Sequence, residues 1–212
     1  MPRAKQRTPE LRDRLLRVAV ATLANDGVAG FTTRNVARSA NTSAPAVYEL
    51  FGDKAGLVRE MFFEGFRQLR RRFDPLVDGG DPLADLIRVI TTFRAFLQEN
   101  PMLAEVMFSR PFVDFDPGPL EEKAGSAVRL FVVGHVQRCI DAGVLAGDAT
   151  DVAHVLVSMT QGLAATERAG WLGRSKASVD RRWDVAIRAV LDGLRPSASR
   201  GTVSPRPVAR RR

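Results

Sequence analysis

The chain is 212 residues long and 45% apolar, which is enough to bury a real core and excludes a chain that is disordered throughout. Its 32 lysines and arginines against 24 acidic residues give a formal net charge of +8, which favours a polyanionic partner such as nucleic acid. Six of the arginines lie in the last eighteen residues, which hold no acid, so the charge of the remainder is only +2. The charge excess is therefore weak evidence for a folded nucleic-acid site, and a solubilising disordered end explains the tail equally well.

Cysteine content and hydropathy indicate the cellular compartment in which the protein is expected. The single cysteine, Cys139, excludes an internal disulfide, and no apolar run reaches the roughly 18 residues needed to cross a bilayer. The apolar stretch near the N-terminus is interrupted by Arg17 and runs into Asp26-Gly27, which is not the pattern of a signal peptide. These features predict a cytoplasmic protein that has no membrane partner.

Hydrophobic periodicity predicts the elements. Apolar residues recur every three to four positions in nearly every segment, which predicts an all-α fold of about nine helices without a solenoid repeat. The first helix is expected from about Pro9 to Asn25 and ends at Gly27. The others are expected from Thr32 or Thr33 to Ala40, from Ser43 or Ala44 onward, from Asp53 to Pro75, from Asp81 to Asn100, from Met102 to Phe108, from Leu120 to Ala142, from Thr150 to Ala169 and from Ser178 to Leu194.

Residues 33–57, TRNVARSANTSAPAVYELFGDKAGL, hold two short helical patterns joined by a polar break. Val36 marks the inner face of the first helix, Val47 that of the second, and Asn41 tolerates the left-handed backbone that a tight turn needs. The outward positions of the second helix are Ser43, Ala44, Ala46, Tyr48 and Glu49. This spacing predicts a helix-turn-helix whose second helix enters the major groove of DNA, although many helical pairs in enzymes share the same apolar spacing.

The order of motifs around this pair resembles the TetR family of bacterial transcriptional regulators. The resemblance rests on NDGVAGFTTRNVA and SAPAVYELFGDKAGLV and covers about residues 9–66. It implies an N-terminal three-helix helix-turn-helix DNA-binding domain with a basic arm at residues 1–52 and a helical effector-binding and dimerisation domain at 53–195. A basic disordered tail is expected at 196–212.

The resemblance also implies roles for residues that face double-stranded DNA. Thr33, Tyr48 and Lys54 match positions that hold phosphates. The positions that face bases are Arg34, Ser43, Ala44, Pro45 and Ala46. The pair Glu49-Leu50 departs from the family pattern, so fewer backbone contacts are expected, and the basic stretch PRAKQR at residues 2–7 is either a compensating contact or a frayed terminus.

The last two predicted helices are the candidates for a homodimer interface, because two half-sites are needed for specificity. The candidate interface residues are Leu156, Leu163, Trp183, Ile187, Val190, Leu191 and Leu194. The alternative is that one stripe of these residues faces the core of the monomer. The candidate pocket residues for a small hydrophobic effector are Phe93, Phe96, Met107, Phe108, Phe131, His135, Cys139, Met159 and Gln161, each of which is otherwise a core residue.

The expected function is a ligand-responsive transcriptional regulator that binds a palindromic operator as a homodimer, with repression as the family default, and is released by its effector. No catalytic group, metal site or cofactor is expected, because the two histidines, His135 and His154, lack metal-ligand spacing and no Gly-rich phosphate loop is present. The alternative is an all-helical small-molecule-binding or interaction module that does not bind specific DNA.

Overall fold

The computed structural model describes residues 8–76, 78–109, 111–113 and 115–196. Within these ranges it contains nine helices and no strand, which confirms the predicted all-α fold. The helices are α1 Pro9–Gly30, α2 Thr33–Ser39, α3 Ala44–Phe51, α4 Lys54–Phe73, α5 Pro82–Glu99, α6 Pro101–Phe108, α7 Pro119–Asp141, α8 Ala149–Arg168 and α9 Lys176–Gly193. The basic stretch at residues 2–7 and the arginines of the tail beyond Pro196 lie outside the described residues.

Side-chain caps fix where most of the helices begin. The capping side chains that accept a hydrogen bond from a backbone N–H of the first turn belong to Thr8, Thr32, Ser43, Asp53, Asp81, Asp148 and Ser175. Each cap satisfies a backbone donor that the helix leaves unpaired. The Ser175 hydroxyl accepts from Ser178 N at 3.2 Å, and α9 therefore begins at Lys176, two residues before the predicted start.

A glycine interrupts α1 near its end. Gly27 has φ 65° and ψ −174°, a left-handed conformation that glycine adopts without strain, and one further turn to Gly30 follows it. The Phe31 N–H donates to the Gly27 carbonyl at 3.1 Å and closes that turn. The helix therefore breaks where the sequence predicts and resumes for three more residues.

The N-terminal region consists of α1, α2 and α3 packed against each other and against the start of α4. Leu15, Phe31, Val36 and Val47 are fully buried in it. A Cβ at Gly56, in the first turn of α4, would overlap the Phe51 carbonyl oxygen. The absence of a side chain there allows α4 to follow α3 closely, and this contact sets the position of α3 on the rest of the molecule.

The C-terminal region is a bundle in which α5 packs on α7 and α8, α4 packs on α6 and α7, and α9 covers α8. Ion pairs between distant helices cross this bundle. Glu167 of α8 accepts hydrogen bonds from Arg94 of α5 at 2.9 Å and from the Trp183 indole of α9 at 2.7 Å. The Arg94 guanidinium also lies over the Trp183 ring, 4.6 Å from its centroid. One carboxylate therefore joins three helices.

A buried carboxylate, Asp85, joins the start of α5 to the end of α7. Asp85 accepts from Arg138 at 2.7 Å, from the Gly79 N–H at 3.0 Å, and from Arg88. Burial alone would raise the pKa of Asp85, but these hydrogen bonds and the two positive charges outweigh it and hold the pKa below its ordinary value. None of the described helices combines the length and the apolar character needed to cross a membrane.

Candidate nucleic-acid interface and central cavity

The turn between α2 and α3 has the predicted geometry. Asn41 has φ 51° and is the one non-glycine residue with positive φ in the part of the chain that the structure describes. The Thr42 N–H donates to the Ala37 carbonyl at 2.9 Å and closes the turn. Because Val36 and Val47 point into the core, the opposite faces of both helices and the N-terminal end of α3 face solvent.

The predicted base-facing residues lie along the first turns of α2 and α3. Arg34 is exposed in the first turn of α2, and Ser43 is exposed at the cap of α3. Pro45 is exposed, whereas the small side chains of Ala44 and Ala46 are half-buried. Arginine is the side chain among these that can donate two parallel hydrogen bonds to guanine.

Two predicted phosphate-binding residues contact each other. The Thr33 hydroxyl donates to the Tyr48 hydroxyl at 3.0 Å, and Thr33 is only 7% exposed whereas Tyr48 is 50% exposed. Because a hydroxyl accepts and donates at once, Tyr48 keeps its own proton for an external acceptor. The Thr33 side chain therefore orients the tyrosine, and the exposed hydroxyl of the pair belongs to Tyr48.

Lys54 begins α4 and rests on two aromatic rings. Its Nζ lies 5.2 Å from the ring centroid of Phe112 and 5.9 Å from that of Phe31, and the two rings are themselves 5.1 Å apart. Phe112 lies in the connection between α6 and α7 and is buried. A cation above an aromatic face is attracted by the ring quadrupole, so these rings restrain the ammonium group. The sequence carried no signal for Phe112, which is 58 positions from Lys54 and outside every motif.

The departure from the family pattern at Glu49-Leu50 has a structural explanation. Leu50 is half-buried and packs against the core, which confirms that its side chain turns inward. Glu49 is exposed on α3 beside Tyr48. Leu50 therefore contributes to the core, and this position offers no side chain to a DNA phosphate.

A central cavity of about 210 Å³ lies between α4, α5, α6, α7 and α8. Its lining is almost entirely apolar. The lining residues are Phe66, Leu69, Phe73, Phe93, Phe108, Gly125, Val128, Arg129, Val132, Ala153, His154, Val157 and Gln161. A larger cleft of about 450 Å³ between α1, α4 and α6 has several charged walls, among them Asp13, Arg17 and Glu64, which suit water better than an apolar molecule.

Three of the nine predicted pocket residues, Phe93, Phe108 and Gln161, line this cavity. Three others lie on α7 beyond or behind it, which corrects their assignment as lining residues. The Phe131 ring stacks on that of the lining residue Phe73, with ring centroids 5.0 Å apart, and does not itself line the cavity. His135 is a satisfied core histidine whose Nδ1 lies 3.0 Å from the Phe131 carbonyl, and the buried Cys139 thiol donates to the Pro82 carbonyl at 3.2 Å.

The remaining three predicted pocket residues also face elsewhere. Phe96 is fully buried and faces Arg72, whose guanidinium carbon lies 5.9 Å from its ring centroid. Met107 packs against Gly65 of α4. Met159 is two residues from the lining residue Val157, a rotation of about 200° around the helix. Periodicity alone did not reveal which side of each helix borders the empty space.

The predicted interface residues divide into two groups. Leu156, Trp183, Ile187 and Leu191 are buried within the protomer, where α9 packs on α8, so they support the outer surface instead of forming it. Leu163, Val190 and Leu194 are half-buried. The large apolar side chains exposed on the two helices are Val155, 49% exposed, and Val185, 62% exposed. This corrects the predicted contact set, because a buried side chain cannot meet a second copy unless the protomer unpacks.

Two family profiles match the chain over these same regions. The profile described as bacterial regulatory proteins of the tetR family matches residues 15–61, and the profile of the tetracyclin repressor-like C-terminal domain matches residues 86–190. The chain belongs to the TetR family. This TetR-family protein is a transcription regulator with a helix-turn-helix DNA-binding domain and a ligand-binding domain.

Solved structures share the fold of this TetR-family regulator. A protein of unknown function from a Rhodococcus species is 26% identical, with a TM-score of 0.76 over 92% of this chain and 100% of that one. The TetR family transcriptional regulator PfmR from Thermus thermophilus is 18% identical, with a TM-score of 0.69 over 83% and 98% of the two chains. At that identity the likeness concerns the fold alone. Comparison with curated proteins finds no match.

Proposed function

We propose that the chain is a repressor that binds a palindromic operator as a homodimer and is released when a small hydrophobic effector occupies the central cavity. The observation that carries this proposal is the exposed face of α2 and α3, where Arg34, Ser43 and Tyr48 are exposed on a helix pair whose inner residues Val36 and Val47 are fully buried. Arg34 and Ser43 are proposed to read base edges, and Tyr48 and Lys54 to hold phosphates. We propose the division into a DNA-binding unit at 1–52, a regulatory unit at 53–195 and a basic tail.

Aromatic contacts support a link between the cavity and the DNA-facing surface. The rings of Phe93 and Phe66 each lie 5.8 Å from that of Phe108, and all three line the cavity. Phe66 then contacts Phe62 at 4.8 Å, and Phe62 contacts Phe115 in the α6–α7 connection at 5.7 Å. The same connection carries Phe112, which contacts Lys54. An effector that moves these packed rings therefore has a physical route to α4 and to the lysine at its start.

The proposed dimer surface is the outer face of α8 and α9. Val155, Gly162, Val185 and Ala189 are all exposed there, and apart from the adjoining backbone of α8 no described residue lies within 4 Å of a Cβ built on Gly162. Small and apolar side chains let helices of two copies approach closely around a two-fold axis. Such an axis would present two α3 helices to successive half-sites of a symmetric operator.

The experiment that tests the function selects bound duplexes from a random DNA library at near-physiological salt, with the sedimentation of the protein measured in parallel. We expect a two-fold symmetric motif and a dimer, and Val185→Arg should give a folded monomer that no longer recovers the full motif. Val113→Arg places the same side chain on an exposed valine outside α8 and α9 and should change neither property.

Two outcomes of this experiment would refute different parts of the proposed function. If the folded, helical protein enriches no motif, sequence-specific DNA binding is refuted and the alternative of a helical small-molecule-binding module gains support. If a symmetric motif is recovered but Val185→Arg remains a dimer, the DNA-binding role stands and the proposed interface on α8 and α9 is wrong.

A further inference from the structure

We propose that the central cavity binds a compact aromatic carboxylic acid, with the ring among the phenylalanines and the carboxylate held by Arg129. This inference rests on the proposed function in that the cavity is taken as the effector site, and it adds the chemical class of the effector. Three features of the lining carry it: the aromatic walls, the sign of the one charge at the cavity, and the size of the space.

Four phenylalanine rings form the walls, contributed by Phe66, Phe73, Phe93 and Phe108. The Phe108 ring stands nearly perpendicular to those of Phe66 and Phe93, at interplanar angles of 75° and 79°. Perpendicular neighbours present both ring edges and ring faces to the cavity, and a planar ring can pack against either in the offset or edge-to-face arrangements that aromatic groups prefer. The walls therefore favour an aromatic body over a flexible chain.

The polar groups of the lining favour a negative head group. Arg129, His154 and Gln161 are its polar side chains, and no lining residue is an aspartate or glutamate. The Arg129 guanidinium donates to the Ser126 hydroxyl at 3.2 Å, and no carboxylate among the described residues pairs with it. A guanidinium offers a planar set of donors that matches a carboxylate, whereas a cationic ligand would meet repulsion and no counter-charge.

The neighbouring histidine is not the donor to this head group. His154 Nδ1 donates to the Thr150 carbonyl at 2.9 Å, and Nε2 is an acceptor in that tautomer, so Arg129 is the group that binds the carboxylate. The size of the cavity sets the scale of the ligand. At about 210 Å³ it is smaller than the 300–1,000 Å³ typical of drug-sized ligands, which points to a single ring with a short acidic arm.

The test titrates the full-length protein with three probes that share one apolar body. The probes are 3-phenylpropionate, its neutral amide and the cationic 3-phenylpropylamine, and binding is measured by calorimetry at pH 7. We expect the acid to bind about tenfold more tightly than the amide, and the amine to bind more weakly than both. Arg129→Gln should abolish the preference for the acid while leaving the affinity for the amide unchanged.

Two further variants locate the effect. Lys123→Gln removes a positive charge from the same helix at an exposed residue that does not line the cavity, and it should retain the acid preference. Val132→Phe fills the cavity and should weaken binding of both acid and amide. An acid preference that survives Arg129→Gln overturns the role of Arg129, and failure of all three probes to bind the wild-type protein overturns the proposed ligand class.

Release of DNA is measured separately with the operator recovered by selection. If the acid binds with the expected dependence on Arg129 but no duplex is bound or released, the ligand site stands and the proposed regulatory function fails. If the protein binds and releases its operator in response to other compounds, with no effect of Arg129→Gln, the regulatory function stands and the aromatic acid is refuted.

Discussion

The polar contacts within the N-terminal region and those within the C-terminal region join residues at very different separations in the sequence. In the N-terminal region the helices begin at local caps, and the side-chain hydrogen bond between α2 and α3 joins Thr33 to Tyr48, fifteen positions apart. In the C-terminal region the ion pairs Arg59–Glu121, Arg94–Glu167 and Arg138–Asp85 join residues 62, 73 and 53 positions apart. The exposed polar side chains of α2 and α3, among them Arg34 and Tyr48, face solvent, whereas the second region places several ion pairs between its helices.

This difference separates stability from recognition. Changes to the exposed residues of α2 and α3 should alter DNA binding with little effect on folding, because those side chains make few contacts within the protomer. Changes to the networks of α5, α8 and α9 should alter folding first, because half-buried polar groups there, such as Arg94 and Glu167, would lose their partners. Variants in each region test whether folding stability and DNA recognition can be changed separately.

The largest effect is expected in the C-terminal region. Trp183→Ala removes a fully buried ring and the indole donor to Glu167, and should lower the free energy of unfolding by about 3–5 kcal/mol. Urea denaturation at a fixed protein concentration measures the loss. Trp171→Ala is a matched control, because that tryptophan is 87% exposed and its removal should cost less than about 0.5 kcal/mol. Equal losses in the two variants would refute the importance of the buried network.

Arg34→Ala should act on recognition alone. We expect it to relax the preference at one base position in each half-site by about 1–3 kcal/mol, with the urea midpoint unchanged. Selection from the random library and competition binding measure the preference. Arg14→Ala, an exposed arginine on α1, is the control and should preserve the motif. A uniform loss of affinity for all sequences would contradict the assignment of Arg34 to a base.

Low pH should lower the stability of the C-terminal region by protonating Glu167. Burial alone would raise the pKa of this carboxyl, but hydrogen bonds from Arg94 and Trp183 outweigh it and lower the pKa below the ordinary 4.5. The stabilisation from a lowered pKa is therefore present above about pH 4.5 and is lost as the pH falls through the lower native value.

Glu167→Gln removes this titration. It should cost about 1–2 kcal/mol of unfolding free energy at pH 7, and its difference from the wild type should shrink as the pH falls below 4.5. Denaturation curves at a series of pH values measure the difference. Glu105→Gln breaks a more exposed pair, 3.6 Å from Arg168, and should show a much smaller effect at every pH. A constant difference for Glu167→Gln across the pH series would exclude the proposed titration.

The smallest effect is expected where the regions meet. Phe112→Leu keeps an apolar side chain under Lys54 but removes the aromatic face, and should weaken operator binding about two- to fivefold. Lys54→Ala should instead lower the slope of log affinity against log salt by about one. Tighter DNA binding by Phe112→Leu would mean that the ring competes with a phosphate for the lysine, contrary to a positioning role.

Local features of the structure agree best with the sequence pattern. The left-handed turn at Asn41 and the inward side chain of Leu50 were both predicted, because each follows from its immediate neighbours. The end of the first helix at Gly27 was also predicted from the sequence. The extra turn that follows it was not, because that turn depends on the hydrogen bond from the Phe31 N–H. The prediction for α9 was late by two residues because the cap at Ser175 was not recognised.

The cavity and the outer face of the bundle differ more from what the sequence pattern predicts. Phe93, Phe108 and Gln161 line the cavity as expected, but His135 and Cys139 lie further along α7 among core contacts. Trp183 was expected at an interface and is buried within the protomer. Each of these residues sits on an apolar helix face, and the apolar pattern is the same for a core, a cavity wall and an interface.

The sequence by itself determined the helices, the turn between α2 and α3, and the order of motifs that identifies the family. These features depend on backbone propensities, caps and spacings within a few residues. Only the tertiary structure decided which side of each helix faces the cavity, where Lys54 rests, and which apolar side chains remain outside. Those outcomes depend on how each helix is rotated against partners more than 50 positions away, as with Arg94 and Glu167, which are 73 apart. A periodic pattern fixes that a helix has an apolar face, and the packing partner fixes what that face becomes.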